Sequence, residues 1–197
     1  MFMKIVTFAL PLICIIPSFA SAAFKLPDTG QSMCFQTVPP YAEIPCAGTG
    51  QDGAYSINPM SYIDNGNGTV TDKNTGLTWQ KEVDQQNYDW FQASGTIDTA
   101  HGQSRQNVCG MLNLGGQTDW RLPTKKELMS IIDYSVPYPG PTIKVDYFPD
   151  MAPLHYWSAT SFAGNPDLAW LVGFSDGRVN RSNKYELHLV RCVRGRR

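Results

Sequence analysis

The chain has 197 residues, a formal net charge of −1, 17 glycines and 14 prolines, and 12% of its residues are aromatic. Long helical periodicities are few, which excludes a helical bundle and points to one loop-rich domain of α+β or β-rich class. Beyond the N-terminal segment no apolar run approaches the ~20 residues a membrane-spanning helix needs.

Lys4, the apolar run Ile5 to Ile16 and the small-residue site Ala20-Ser21-Ala22 read as a secretory signal peptide over residues 1–22. Cys14 follows the bulky Ile13, where a lipid-anchor site would want a small residue, so no lipid anchor is expected. Export leaves four cysteines, Cys34, Cys46, Cys109 and Cys192, an even number bound for an oxidising compartment, and disulfides are the expected use. Of the three possible pairings, the favoured one joins Cys34 to Cys46 as a local loop and Cys109 to Cys192 as a long-range staple. No pair has Cys-x-x-Cys spacing, and His101, His155 and His188 are scattered, so neither a metal nor a cofactor is expected.

Residues 23–61 show little periodicity and much Pro, Gly and Ser, and read as an irregular, disulfide-bearing arm ahead of a main domain over 62–197. That domain opens with turn residues Asp64 to Gly68, a strand at Thr69 to Asp72, a second turn and a strand at Leu77 to Trp79, which make a hairpin. Its acidic and amide-rich turn resembles a calcium loop, but Gly66 and Gly68 stand where an EF-hand needs its second and third oxygen ligands. Residues 90–114 hold helical fragments interrupted by Gly95 and Gly102. Next, Pro123 keeps Leu122 extended, and Thr124 with Glu127 forms a capping box. The helix it starts is predicted to run to Tyr134, with Leu128, Ile131 and Ile132 on the core face and Lys125, Lys126 and Ser130 facing away. Residues 135–153 carry five prolines and read as a long loop. An antiparallel meander closes the chain at Tyr156–Ser161, Ala169–Phe174, Arg178–Ser182 and Glu186–Arg194. Its last strand should turn Val190 and Cys192 to the core and Arg191 to the opposite face.

In order, the blocks are Gly76-Leu77-Thr78-Trp79-Gln80, Cys109-x-x-Leu112, Asp119-Trp120-Arg121-Leu122-Pro123-Thr124, Tyr156-Trp157-Ser158-Ala159-Thr160, Phe174-Ser175-Asp176-Gly177 and Val190-Arg191-Cys192-Val193-Arg194. This pattern, over about Tyr62 to Gly195, resembles the Lcl C-terminal domain family, named for the end domain of the Legionella collagen-like adhesin. The resemblance implies a C-type-lectin-like α+β fold related to that of formylglycine-generating enzymes, with a disulfide from a helix to the final strand, which supports Cys109 with Cys192. It also implies extracellular binding, of glycosaminoglycans or host surfaces in the adhesin that names the family. The chain departs from the adhesin in lacking a Gly-X-Y repeat and in carrying extra residues around Gly95 to Gln106.

Charge is the independent clue to a ligand. From Asp176 onward seven basic residues, Arg178, Arg181, Lys184, Arg191, Arg194, Arg196 and Arg197, stand against Asp176 and Glu186, whereas Ala23 to Ser175 has eight basic and fifteen acidic residues. Such asymmetry predicts a basic face, and guanidinium forks suit sulfate and carboxylate groups. Arg178, Arg181, Lys184, Arg191 and Arg194 are therefore the candidate ligand-binding residues, although Arg121 and Arg191, inside the family blocks, also read as structural. Trp79, Trp90, Trp120, Trp157 and Trp170 read as core, leaving Tyr138 and Tyr147 of the proline-rich loop as rings open to a sugar. Asn165-Pro166-Asp167 echoes only half of a lectin calcium signature. No nucleophile elbow, zinc-protease helix or phosphate loop is present, so no enzyme is expected. The expectation is an exported binding module for an anionic surface glycan, without nucleic acid or membrane span. Its alternative is a structural or assembly component of the bacterial envelope that docks on a protein.

Overall fold

A computed structural model describes residues 25–100 and 106–195. The signal-peptide and lipid-anchor readings, the helix break at Gly102 and the terminal Arg196 and Arg197 lie outside the described residues. Within them the protein is a mixed α and β structure whose strands pair antiparallel in three sheets. In the N-terminal arm, β1 (Cys34–Phe35) and β2 (Glu43–Ile44) form a two-stranded ladder closed by the Cys34–Cys46 disulfide, and a short 3-10 turn follows at Asp52–Ala54. Next come β3 (Tyr62–Asp64), β4 (Thr69–Asp72) and β5 (Thr78–Gln80), so the expected hairpin gains a strand ahead of its first turn. Helices α1 (Trp90–Ser94) and α2 (Lys125–Met129) precede a meander of β6 (His155–Ser161), β7 (Leu168–Gly173) and β8 (Val179–Asn183). The last strand, β9 (Val193–Arg194), leaves the meander and pairs with β5, giving a four-stranded sheet in the order β3-β4-β5-β9.

Both helices start on capping boxes. Thr124 Oγ1 accepts from the Glu127 N–H at 3.2 Å and the Glu127 carboxylate accepts from the Thr124 N–H at 2.7 Å. Asp89 and Gln92 make the same reciprocal pair ahead of α1, which ends at Gly95 in the left-handed conformation. Helix α2 is shorter than predicted, stopping at Met129 and not at Tyr134. The Ser130 N–H is shared between the Lys126 and Glu127 carbonyls, and the Ser130 hydroxyl donates to the Glu127 carbonyl at 2.6 Å. Ser130 is consequently buried and does not face solvent, while Leu128, Ile131 and Ile132 fill the core as expected. The Arg121 guanidinium donates to both Glu127 oxygens at 2.9 and 2.6 Å. Burial pushes the Glu127 carboxyl up, but Arg121 and the Thr124 N–H outweigh it and hold it below the usual carboxylate range.

Two apolar clusters form the interior. The first joins Val70 and Trp79 of the four-stranded sheet, with Leu77 just ahead of β5, to α2, to Tyr156 and Val172 of the meander, and to Ile143, Phe148 and Met151 of the proline-rich segment. That segment has no regular strand or helix, yet it packs inward. The second cluster joins Trp90 and Ala93 of α1 to Trp120, Leu122, Trp157, Leu171 and the Cys109–Cys192 disulfide.

Residues 190–193 run between these clusters. Val190 and Cys192 enter the second, as the alternation predicts, and Val193 enters the first. Arg191 does point the other way, but into protein and not into solvent, and it has no exposed surface. Its Nη1 donates to the Gln80 and Lys81 carbonyls at 2.6 and 2.7 Å, its Nη2 to Asp150 Oδ1 at 2.7 Å, and its guanidinium lies 5.2 Å from the Phe148 ring centre. The other Asp150 oxygen accepts from the Val83 N–H.

Arg191→Ala takes a donor from Asp150 Oδ1 and from two carbonyls, so urea unfolding should show a loss of about 3–5 kcal/mol. Arg191→Lys should restore only a minority of it, because an ammonium cannot reach three acceptors in one plane. The disulfides span sequence separations of 83 and 12 residues. Loop-closure entropy then predicts a loss of about 4–5 kcal/mol for Cys109→Ala with Cys192→Ala, against about 3 kcal/mol or less for Cys34→Ala with Cys46→Ala. Melting curves of the two double variants give the order.

Candidate functional site

The open face of the meander carries two adjoining rings, each with a cation set over it. At the end of β6 the chain turns through Gly164, where a Cβ would come within 2.8 Å of the Phe162 ring, so glycine lets that ring lie flat over the turn. Phe162 meets Trp170 of β7 edge to face, with centres 5.3 Å apart. On β8, Arg181 is paired across from Trp170, and its guanidinium lies 4.9 Å from the Phe162 centre. From the first turn of α2, Lys125 places its Nζ 4.1 Å from the Trp170 ring, and its N–H donates to Thr160 Oγ1 at 3.0 Å. Among the described residues neither Arg181 nor Lys125 pairs with a carboxylate. Cation–π contact positions each charge without neutralising it, so both remain available to an anion.

The five basic residues singled out in the sequence do not converge. Arg178 sits at the β7–β8 turn with 80% of its side chain exposed, 3.1 Å from Asp176. Arg181 belongs to the series just described. Lys184 turns toward α1, with its Nζ 4.1 Å from the Trp90 ring; burial pushes its pKa down, partly opposed by Asp167. Arg191 is internal and out of a ligand's reach, which corrects its place among the binding candidates. Its charge is needed where β5, the proline-rich segment and the last strand meet. Arg194 lies on the other sheet, held by Asp119 through bonds of 2.6 and 3.2 Å and by Gln117 at 3.0 Å.

Sequence reasoning missed Lys125, which reads as a helix-surface residue, and Phe162 and Trp170, whose partial exposure depends on how β6, β7 and α2 meet. The other four tryptophans are core residues, as expected. Of the two tyrosines, Tyr138 is 77% exposed, but Tyr147 is partly buried and packs on Tyr62 with centres 5.3 Å apart. In the glycine-rich turn Asp64 is bound by Lys81 Nζ at 2.7 Å, so the first carboxylate of the calcium-like pattern already has a cation. No group of three or more potential metal ligands occurs among the described residues.

A hydroxyl, an imidazole and a carboxylate do meet at Ser182, His188 and Glu186. The Ser182 hydroxyl donates to the Glu186 carboxylate and lies 3.0 Å from His188 Nε2, and that same nitrogen is 3.7 Å from the carboxylate. A proton relay needs the carboxylate on the opposite ring nitrogen and an open nucleophile, whereas Ser182 is buried. Burial and the neighbouring His155 push the His188 pKa down against the pull of Glu186, which favours the neutral ring.

Comparison with curated proteins returned no match. The family model described as the Lcl C-terminal domain matches residues 68–194, from the glycine before β4 through β9. That span holds both helices, the whole meander, the Cys109–Cys192 disulfide and the ring–cation series, and on it the chain belongs to the Lcl C-terminal domain family.

Proposed function

We propose that this protein is an exported, non-catalytic binding module whose meander face recognises an anionic surface glycan. The observation that carries the reading is the unpaired Lys125 and Arg181, held over Trp170 and Phe162 on one face. Sulfate and uronate groups accept from guanidinium and ammonium donors, and the rings beneath fix the two cations without neutralising them, so this combination fits a sulfated or uronic-acid polymer. Arg178, paired with Asp176, and Lys184, turned toward Trp90, lie at either end of β8 and outside the Lys125 and Arg181 pair. Membership of a family named for the end domain of an adhesin supports extracellular attachment, and the two disulfides are compatible with export. A C-type-lectin-like fold is part of this reading. So is the absence of catalysis: all four cysteines after residue 22 are in disulfides, and the Ser182 cluster lacks relay geometry.

Retention on immobilised heparin at low and physiological salt tests the reading. Lys125→Ala with Arg181→Ala should weaken apparent affinity on the order of tenfold at physiological salt, at about 0.7 kcal/mol per cation, with unchanged melting. The salt dependence of the double variant should be shallower, because fewer charges are screened. Absence of retention at low salt would overturn the glycan reading and favour a protein partner in the envelope.

A further inference from the structure

The outer face of the four-stranded sheet carries a hollow separate from the meander. Alternation turns Val70, Trp79 and Val193 inward and therefore Thr69, Thr71, Thr78 and Arg194 outward. The loop leading to Trp120 walls one side. Trp120 is 3% exposed, and its indole N–H is engaged by the Leu114 and Gln117 carbonyls, so this wall is firm. Gly115, with φ +61°, lets the loop lie close: a Cβ there would be 2.9 Å from Asn67 Nδ2 and 3.0 Å from Thr69 Cγ2. The space enclosed is about 210 Å³. A drug-sized site holds ~300–1,000 Å³, so this one suits a single small group.

Its hydrogen bonding is one-sided. Asn65 Nδ2 donates to Thr69 Oγ1 at 2.9 Å and to Thr71 Oγ1 at 3.0 Å, and Asn65 Oδ1 accepts from Thr71 at 3.3 Å. Asn67 Oδ1 accepts from Thr69 at 2.7 Å, and Gln117 Oε1 accepts from Arg194 Nη2 at 3.0 Å. All three amide oxygens are thus engaged within the rim. Asn67 Nδ2, Gln117 Nε2, Arg194 Nη1 and the Thr78 hydroxyl have no partner among the described residues. What the hollow offers is donors and one cation, and none of its lining residues is acidic. Asp119 sits beyond the lining and pairs with Arg194 at 2.6 Å. A donor-rich cradle of low net charge matches a planar monoanion with two acceptor oxygens.

We infer that this hollow is a carboxylate-binding site, taking the acid group of a sugar acid or of a small organic acid. It depends on neither Lys125 nor Arg181, and heparin retention and carboxylate binding can fail independently.

The test titrates the isotope-labelled chain, both disulfides formed, with glucuronate, glucose and glucose 6-sulfate, following the side-chain amide resonances of Asn67 and Gln117. Glucuronate should shift both saturably. Asn67→Asp keeps the acceptor for Thr69 but replaces free donors with a negative charge, and should weaken glucuronate at least tenfold while leaving the fold and heparin retention unchanged. Thr78→Val should weaken it about threefold. Equal shifts with glucose would overturn charge recognition, and tighter binding of the sulfate ester would overturn the carboxylate assignment. Glucuronate shifts confined to the Lys125 and Arg181 face, or no shifts at all, would overturn the site itself.

Discussion

A guanidinium with no exposed surface is costly to desolvate, and Arg191 is tolerated only because backbone carbonyls, a carboxylate and a ring surround it. That requirement fixes the relative positions of β5, the segment around Asp150 and the last strand. The next residue, Cys192, is bonded to Cys109, and the one after it exchanges both backbone hydrogen bonds with Arg121. Four consecutive residues thus tie together two apolar clusters, two sheets and the loop entering α2. A chain with short helices and short strands has little periodic burial to hold it, and a few strong local constraints replace it.

The same hub explains why the basic residues of the C-terminal third act separately. Arg191 is consumed internally, Arg194 emerges on the four-stranded sheet, and Arg181 is left on the meander. The meander face is completed by a residue from far earlier in the chain. Lys125 reaches Trp170 because the α2 N-terminus is pinned to β6 through Thr160, and the Arg121–Glu127 pair and its capping box hold that turn. The unpaired cations and the rings that support them lie within the span of the Lcl C-terminal domain, as do β4 to β9.

Local chemistry was legible wherever it acted within a few residues. The Thr124–Glu127 capping box, the turns around β4, the Cys34–Cys46 loop and the alternation of Val190 and Cys192 all rest on short-range geometry, and all are present. Expectations failed where a partner came from elsewhere. Helix α2 ends early because the N–H groups of Asp133 and Tyr134 donate to the distant Thr142 and Thr29 carbonyls and not back along a helix. The last strand abandons the meander for β5, and the residue opposite Cys192 meets a second buried surface in place of water.

Sequence alone thus determined the disulfide-compatible cysteine set, the α+β class, the start of α2 and the family, because each is written in residue type and short spacing. Tertiary structure alone decided which arginine is internal, which cations lack a carboxylate, and which rings carry them. Burial and charge pairing are properties of neighbours, and in this chain the deciding neighbours lie tens of residues apart, from Gln80 to Arg191 and from Lys125 to Trp170.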